Sequence, residues 1–284
     1  MGKPPNTRPG PSTRTRVRRL TGAVAVDRRD DLATEEPLEV RLATPGGGHR
    51  TVAITMRTPG HDFELAAGFL LGEGAVRPGG IASIAYCTDE DLPPAARYNT
   101  VTVRLRGPVP ELPALDRHFV TSSACGVCGA AGLDNLHERC RPLPEDGLRI
   151  TPKILYGLPD ALRRAQGVFG KTGGLHAAGL FTAEGARVAV REDVGRHNAV
   201  DKLVGWAGLS ERLPLSGHML MVSGRAGYEI LQKALAAGIP TVCAVSAPSS
   251  LAVDLAREFG MTLVGFLRGE GCNVYAGRER IVVE

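Results

Sequence analysis

The chain has 284 residues, 43% of them hydrophobic and 23% charged, and a formal net charge of +4. That length buries a sizeable core as one large domain or two modest lobes, and so ordinary a composition excludes a chain disordered through most of its length. No apolar run approaches the roughly 20 residues that cross a bilayer, and six cysteines scattered along a long chain with no recognisable secretory signal exclude a disulfide scaffold, so a cytoplasmic protein with reduced thiols is expected.

The charge gathers at one end. Lys3, Arg8, Arg14, Arg16, Arg18 and Arg19 all precede the first acid, Asp27. A basic stretch rich in Pro, Ser and Thr reads as a disordered solubilising tail over residues 1–19, with binding of nucleic acid or of an acidic partner as the competing uses; on balance neither nucleic acid nor membrane is an expected partner. From residue 20 to 120 short runs alternate: GAVAV, PLEVRLA, RTVAITM, ASIAYC and NTVTVRLR. Their period of two and β-branched content predict strands. GHDFELAAGFLLGEG interrupts them as a helix entered after Pro59 and closed near Gly72 or Gly74. The first lobe is therefore β-rich. Residues 121–150 are small, polar and Pro-containing, and predict a connecting segment.

From residue 151 to 284 strands and helices alternate. TPKILYGLPDALRRAQ predicts a helix with Thr151 at its N-cap and Pro152 in its first turn. LHAAGLFT and RVAVRE then read as strands, followed by helix RHNAVDKLVGWA, strand HMLMVS, helix AGYEILQKALAAG, strand PTVCAV, helix SSLAVDLAREFG and strand MTLVGFL. Helices of ten to thirteen residues between strands imply crossovers, hence an α/β domain with a largely parallel, helix-covered sheet, α+β with the first lobe included. Ligands of such sheets bind beyond the carboxyl ends of the strands, which places VSGRAGYE, AVSAPSS and GFLRGEG on one rim.

The connecting segment opens on TSSACGVCGAAG, with Cys125 and Cys128 two residues apart and no large side chain to bury them. A structural zinc needs four ligands; no second C-x-x-C exists, and Cys140, His118 and His137 are the only nearby supplements. Disulfide exchange suits the spacing, but the pair lacks the strand-then-helix setting of a thioredoxin-like motif. Sulfur relay needs an exposed thiolate that holds a persulfide, beside a second thiol able to attack it. Spacing alone does not choose between these two uses. Cys243 in TVCAVS and Cys87 after SIAY read as small core residues. Arg225 suits either a phosphate or an ion pair, and His176 and His197 suit either a buried hydrogen bond or proton handling. Asp193 is placed to orient such a histidine, and Glu229 to cap or pair locally.

SSACGVCG, KTGGLHAAGLF, REDVGRHNAVDKLVG, SGRAGYEI, IPTVCAVSAPSSLAVDLA and GFLRGEGCNVY, in this order and spacing, resemble the FdhD-type formate dehydrogenase accessory sulfurtransferases over roughly residues 20–284. The resemblance implies a carrier that takes sulfur from a cysteine desulfurase and passes it to the molybdenum cofactor, in its bis-guanine-dinucleotide form, for formate dehydrogenase. In that reading the cofactor is bound as a substrate and no permanent metal is held. Cys125 matches the persulfide cysteine and Cys128 its partner thiol. Phe266, Leu267, Arg268, Gly269, Glu270 and Gly271 match the cofactor-binding segment, with Gly271 standing where some members carry a second basic residue. The resemblance also implies a homodimer and a cytidine deaminase-like fold; the zinc of the deaminases is not expected, since the chain has no H-x-E motif. A cofactor-binding chaperone without sulfur transfer and a C-x-x-C oxidoreductase are the alternatives.

Overall fold

The computed structural model describes residues 8–44, 46–87, 97–109, 140–145 and 147–283. Two sheets carry most of it. In the first, β3 (Glu36–Ala43), β4 (His49–Arg57), β5 (Ile81–Tyr86) and β6 (Thr100–Leu105) take the order β4-β3-β6-β5. Strands β3 and β4 form an antiparallel hairpin, β3 and β6 run parallel, and β5 and β6 antiparallel. Helix α1 (Asp62–Gly72) covers this sheet, burying Leu65, Ala66 and Leu70 against Leu38, Val40, Leu42, Val101 and Val103. The alternation read in the sequence is this sheet's inward face.

The second sheet contains β7 (His176–Thr182), β8 (Arg187–Asp193), β9 (His218–Val222), β10 (Thr241–Ala244), β11 (Thr262–Arg268) and β12 (Gly271–Ala276), in the order β12-β11-β10-β9-β7-β8. Helix α2 (Pro152–Ala165) and the short α3 (Gly167–Thr172) precede it. Helices α4 (Arg196–Leu209), α5 (Tyr228–Ala236) and α6 (Ser250–Glu258) lie between its strands. Ala178, Leu180, Leu220, Val222, Val242, Ala244 and Leu263 pack with α4, α5 and α6, whereas Ala177, Phe181, Met219, Met221, Cys243 and Val264 pack with α2 on the other face. Burial on both faces explains why these strands read as continuous apolar runs.

Two sequence expectations are corrected. The sheet is mixed and not largely parallel: β9-β10 and β10-β11 are parallel, but β7-β8, β7-β9 and β11-β12 are antiparallel. Connections of only a few residues, 183–186 and 269–270, leave β7-β8 and β11-β12 no crossover, and a short link forces antiparallel pairing. Nor is the basic end a tail throughout, because from residue 12 it belongs to a ribbon of β1 (Ser12–Thr21) and β2 (Val24–Ala33) turned at Gly22 (φ 60°). Acids of β2 answer the basic run, with Arg14 on Asp31 at 3.2 Å and Arg18 on Asp27 at 2.8 Å.

Helices α1 and α4 cross backbone to backbone. A Cβ added to Gly68 would stand 1.8 Å from the Asp201 carbonyl oxygen, and one added to Gly205 would stand 1.8 Å from that of Glu64. Only glycine permits this approach. A buried polar knot completes the join. Asp193 accepts from the Thr58 amide at 3.1 Å, the Gly195 amide at 2.8 Å and Asn198 at 2.9 Å, and pairs with Lys202 at 2.7 Å. Lys202 in turn donates to the Thr58 carbonyl at 2.8 Å. Among the described residues no helix is long and apolar enough to cross a membrane.

Candidate functional site

The carboxyl ends of β9, β10 and β11 lie side by side, and hydrogen bonds knit the loops that leave them. The Ser246 amide donates to the Gly224 carbonyl at 3.4 Å, Ala226 to Ala247 at 3.2 Å, Ser249 to Ala226 at 3.1 Å and Phe266 to Ser246 at 3.1 Å. The three segments expected on one rim are thus joined through their backbones. Gly265 sits inside this net: a Cβ there would approach Pro248 Cδ to 2.9 Å and the Ser246 carbonyl oxygen to 3.2 Å. Directly after it Phe266 is forced into the left-handed region (φ 51°), a conformation costly for a bulky residue and concentrated at functional sites.

The predicted cofactor segment divides by exposure. Leu267 is 0% exposed and belongs to the α2-side core, so its side chain faces away from the rim. Phe266 is half-buried, while Arg268, Gly269, Glu270 and Gly271 are exposed in the tight turn between β11 and β12. The Arg268 guanidinium lies over the Phe266 ring, 5.8 Å from its centre.

A second cluster forms where β9 and the heads of α4 and α5 meet. His176 opens β7 opposite Asp193, and the His176 Nδ1 lies 3.4 Å from where a Gly224 Cβ would stand, with Arg196 Cδ at 3.8 Å. Arg225 follows on the exposed lip. His197 Nδ1 is 3.2 Å from Glu229 Oε2. Burial, with Arg196, Lys233, His176 and Arg225 around it, pulls His197 down to about 3. Burial and Arg196 lower His176 as well. Both imidazoles are therefore neutral near pH 7.

Asp193 does not orient either histidine, since its oxygens serve Thr58, Gly195, Asn198 and Lys202. Glu229, expected to cap or pair locally, instead lies against His197 of α4 across the heads of the two helices. Sequence reasoning missed Arg196, whose Nε is buried without a hydrogen-bond partner among the described residues. Its place beside His197 in DVGRHNAVDK was the available signal. Arg196, Arg225 and Arg268 give the rim three cations, the charge a polyanionic ligand requires, while the amides of Ala226, Ser246, Ser249 and Phe266 are engaged within the loops themselves.

Cys125 and Cys128, with His118 and His137, lie outside the described residues. Of the other cysteines, Cys243 is fully buried and its thiol is pushed well up by that burial, and Cys272 is raised for the same reason. Neither ionises readily, and the thiolate is the reactive form of a cysteine.

Comparison with known proteins bears on the whole chain. The sequence profile of the FdhD/NarQ family matches residues 33–282. The chain is 51% identical over 272 residues to a sulfur carrier protein FdhD of Nocardia farcinica, covering 95% of each. It is 53% identical over 275 residues to the protein so named in Streptomyces avermitilis, again covering 95% of each, and 50% identical over 274 residues to that of Mycobacterium tuberculosis, covering 94% of this chain and 97% of the other. The fold matches the crystal structure of a putative formate dehydrogenase accessory protein from Desulfotalea psychrophila with a TM-score of 0.74 and 24% identity, covering 96% of this chain and 100% of the other.

Proposed function

The chain belongs to the FdhD/NarQ family, and from that premise we propose that it is a cytoplasmic sulfur carrier required for formate dehydrogenase activity. The Cys125 thiolate attacks the terminal sulfur of a persulfide on a cysteine desulfurase. The sulfur–sulfur bond of the donor breaks, the donor cysteine leaves as thiolate, and Cys125 carries the persulfide without net oxidation or reduction. The recipient is the molybdenum cofactor in its bis-guanine-dinucleotide form, bound as a substrate.

The rim holds that substrate. Arg196, Arg225 and Arg268 answer its phosphates, and the fixed backbone net of Gly224, Ser246 and Phe266 presents it in one orientation. Neutral His176 and His197 add hydrogen-bonding positions without further charge. The observation that carries the reading is the family match itself, which spans the cysteine pair and the rim together.

The test is complementation of a host lacking this activity, read as formate dehydrogenase turnover and sulfur content of its cofactor. Cys125→Ser is expected to abolish both while the purified protein still retains the cofactor. Undiminished formate dehydrogenase activity with Cys125→Ser would instead identify a chaperone whose cysteines are incidental. Rapid turnover of a model disulfide by the wild-type protein, with no sulfur delivered, would identify an oxidoreductase.

A further inference from the structure

The four-stranded sheet ends on β5, and among the described residues no strand pairs with its outer edge. Cys87 donates inward to the Thr100 carbonyl at 2.9 Å, so by the alternation of an antiparallel ladder Ile84 and Tyr86 turn their backbone N–H and C=O groups outward. The strand reads IASIAY, with exposed Ala82, Ser83 and Ala85. It carries no lysine, proline or other charge of the kind that blunts free edges. Small side chains leave the backbone open to a second strand.

Beside this edge lies a cavity of about 300 Å³ between β5, α1 and the end of α4. Phe63, Leu71, Ile84 and Leu209 give it apolar walls, and Leu209 is 44% exposed into it. Arg77 and Arg106 stand at its mouth, both exposed, and their guanidinium groups have no hydrogen bond or ion pair among the described residues. Glu211 also lines the cavity, so the local balance is one positive charge.

We propose that the outer edge of β5 and this cavity form a docking groove for an extended segment of a partner protein bearing an apolar side chain flanked by carboxylates. The backbone of that segment adds a fifth strand, its apolar side chain enters the cavity, and its acids meet Arg77 and Arg106; ladder bonds then supply affinity, and the cavity and charges supply specificity. The groove is separate from the rim, and the proposal stands whatever the fate of the sulfur reading.

The probe is a capped Asp-Val-Leu-Val-Asp peptide titrated into the full chain, followed by fluorescence anisotropy and by amide exchange along β5. Binding is expected to slow exchange at Ile84 and Tyr86. Arg77→Glu combined with Arg106→Glu is expected to weaken it by about tenfold or more, and a Lys-Val-Leu-Val-Lys peptide to recover affinity for that variant. Leu209→Asp tests the apolar wall independently and is expected to weaken the acidic peptide. Exchange at Ile84 and Tyr86 already slow in the free protein, equal affinity for both peptides, or binding untouched by all three substitutions would each overturn the proposal. So would self-association through this edge in place of peptide binding, which would make a second copy the occupant.

Discussion

His197 illustrates how a position that is ambiguous in the sequence acquires a role from its surroundings. Its ring nitrogen lies beside a carboxylate, yet burial and the neighbouring cations hold its pKa at about 3, well under the ordinary value near 6.5. The folded state therefore binds that proton more weakly than the unfolded state, and its stability contribution is full above pH 6.5 and declines as pH falls through the window toward 3. Asp201 opposes it, because burial raises that carboxyl from 3.8 to about 6, so the folded chain gains stability there as pH falls. Comparison of wild type with His197→Gln isolates the histidine. The variant should gain on the wild type by up to roughly 3 kcal/mol between pH 6.5 and 4, measured by denaturant unfolding at each pH. A constant difference across that range would contradict a neutral, buried His197.

At the scale of elements, the close crossing of α1 and α4 makes the sharpest claim. Gly68→Ala or Gly205→Ala drives a methyl into a main-chain carbonyl, and backbone cannot yield as the far end of a side chain can. Each should cost about 3 kcal/mol or more, read as a melting temperature lower by roughly 6–12 °C. Alanine at Gly157, a helical glycine with open space beyond it, is the control and should leave stability unchanged or raised. This crossing was not legible in the sequence, since nothing in FELAAGFLLG or NAVDKLVGWAG distinguishes a contact glycine from a tolerated one. The strands of both sheets other than β12 were legible, because burial of one or both faces writes itself as alternation or as apolar runs. The β1-β2 ribbon was legible only where GAVAV marks the start of β2; the charged remainder is mostly exposed, so its charges carry no period. Strand β12 was hidden for a related reason, since most of GCNVYA is exposed or half-buried at the sheet edge. At the site, the order of the rim loops was readable from the strand–helix alternation, whereas the inward turn of Leu267 and the buried Nε of Arg196 required three dimensions.

Across the whole molecule, a few buried polar contacts tie the β4 end of the first sheet to the head of α4 beside the rim. Lys202 is 1% exposed and Asp193 0%, and their pair also grips both polar groups of the Thr58 backbone. Removing one partner from such a pair leaves a charge buried and uncompensated. Lys202→Met should therefore cost about 3–5 kcal/mol, and adding Asp193→Asn should return part of it in a double-mutant cycle read by chemical denaturation; equal losses in the single and double variants would contradict the pairing. The position of this knot next to Arg196 and His197 links lobe packing to the geometry of the rim.

The central claim is that sulfur travels on Cys125, and it is tested most directly by mass spectrometry of the full chain after incubation with a cysteine desulfurase and cysteine. The account predicts one added sulfur in the wild type, mapped to Cys125 and removed by a thiol reductant, and no addition in Cys125→Ala. A wild-type protein that gains no sulfur, or a Cys125→Ala protein that still acquires it on Cys128 alone, would contradict the assignment.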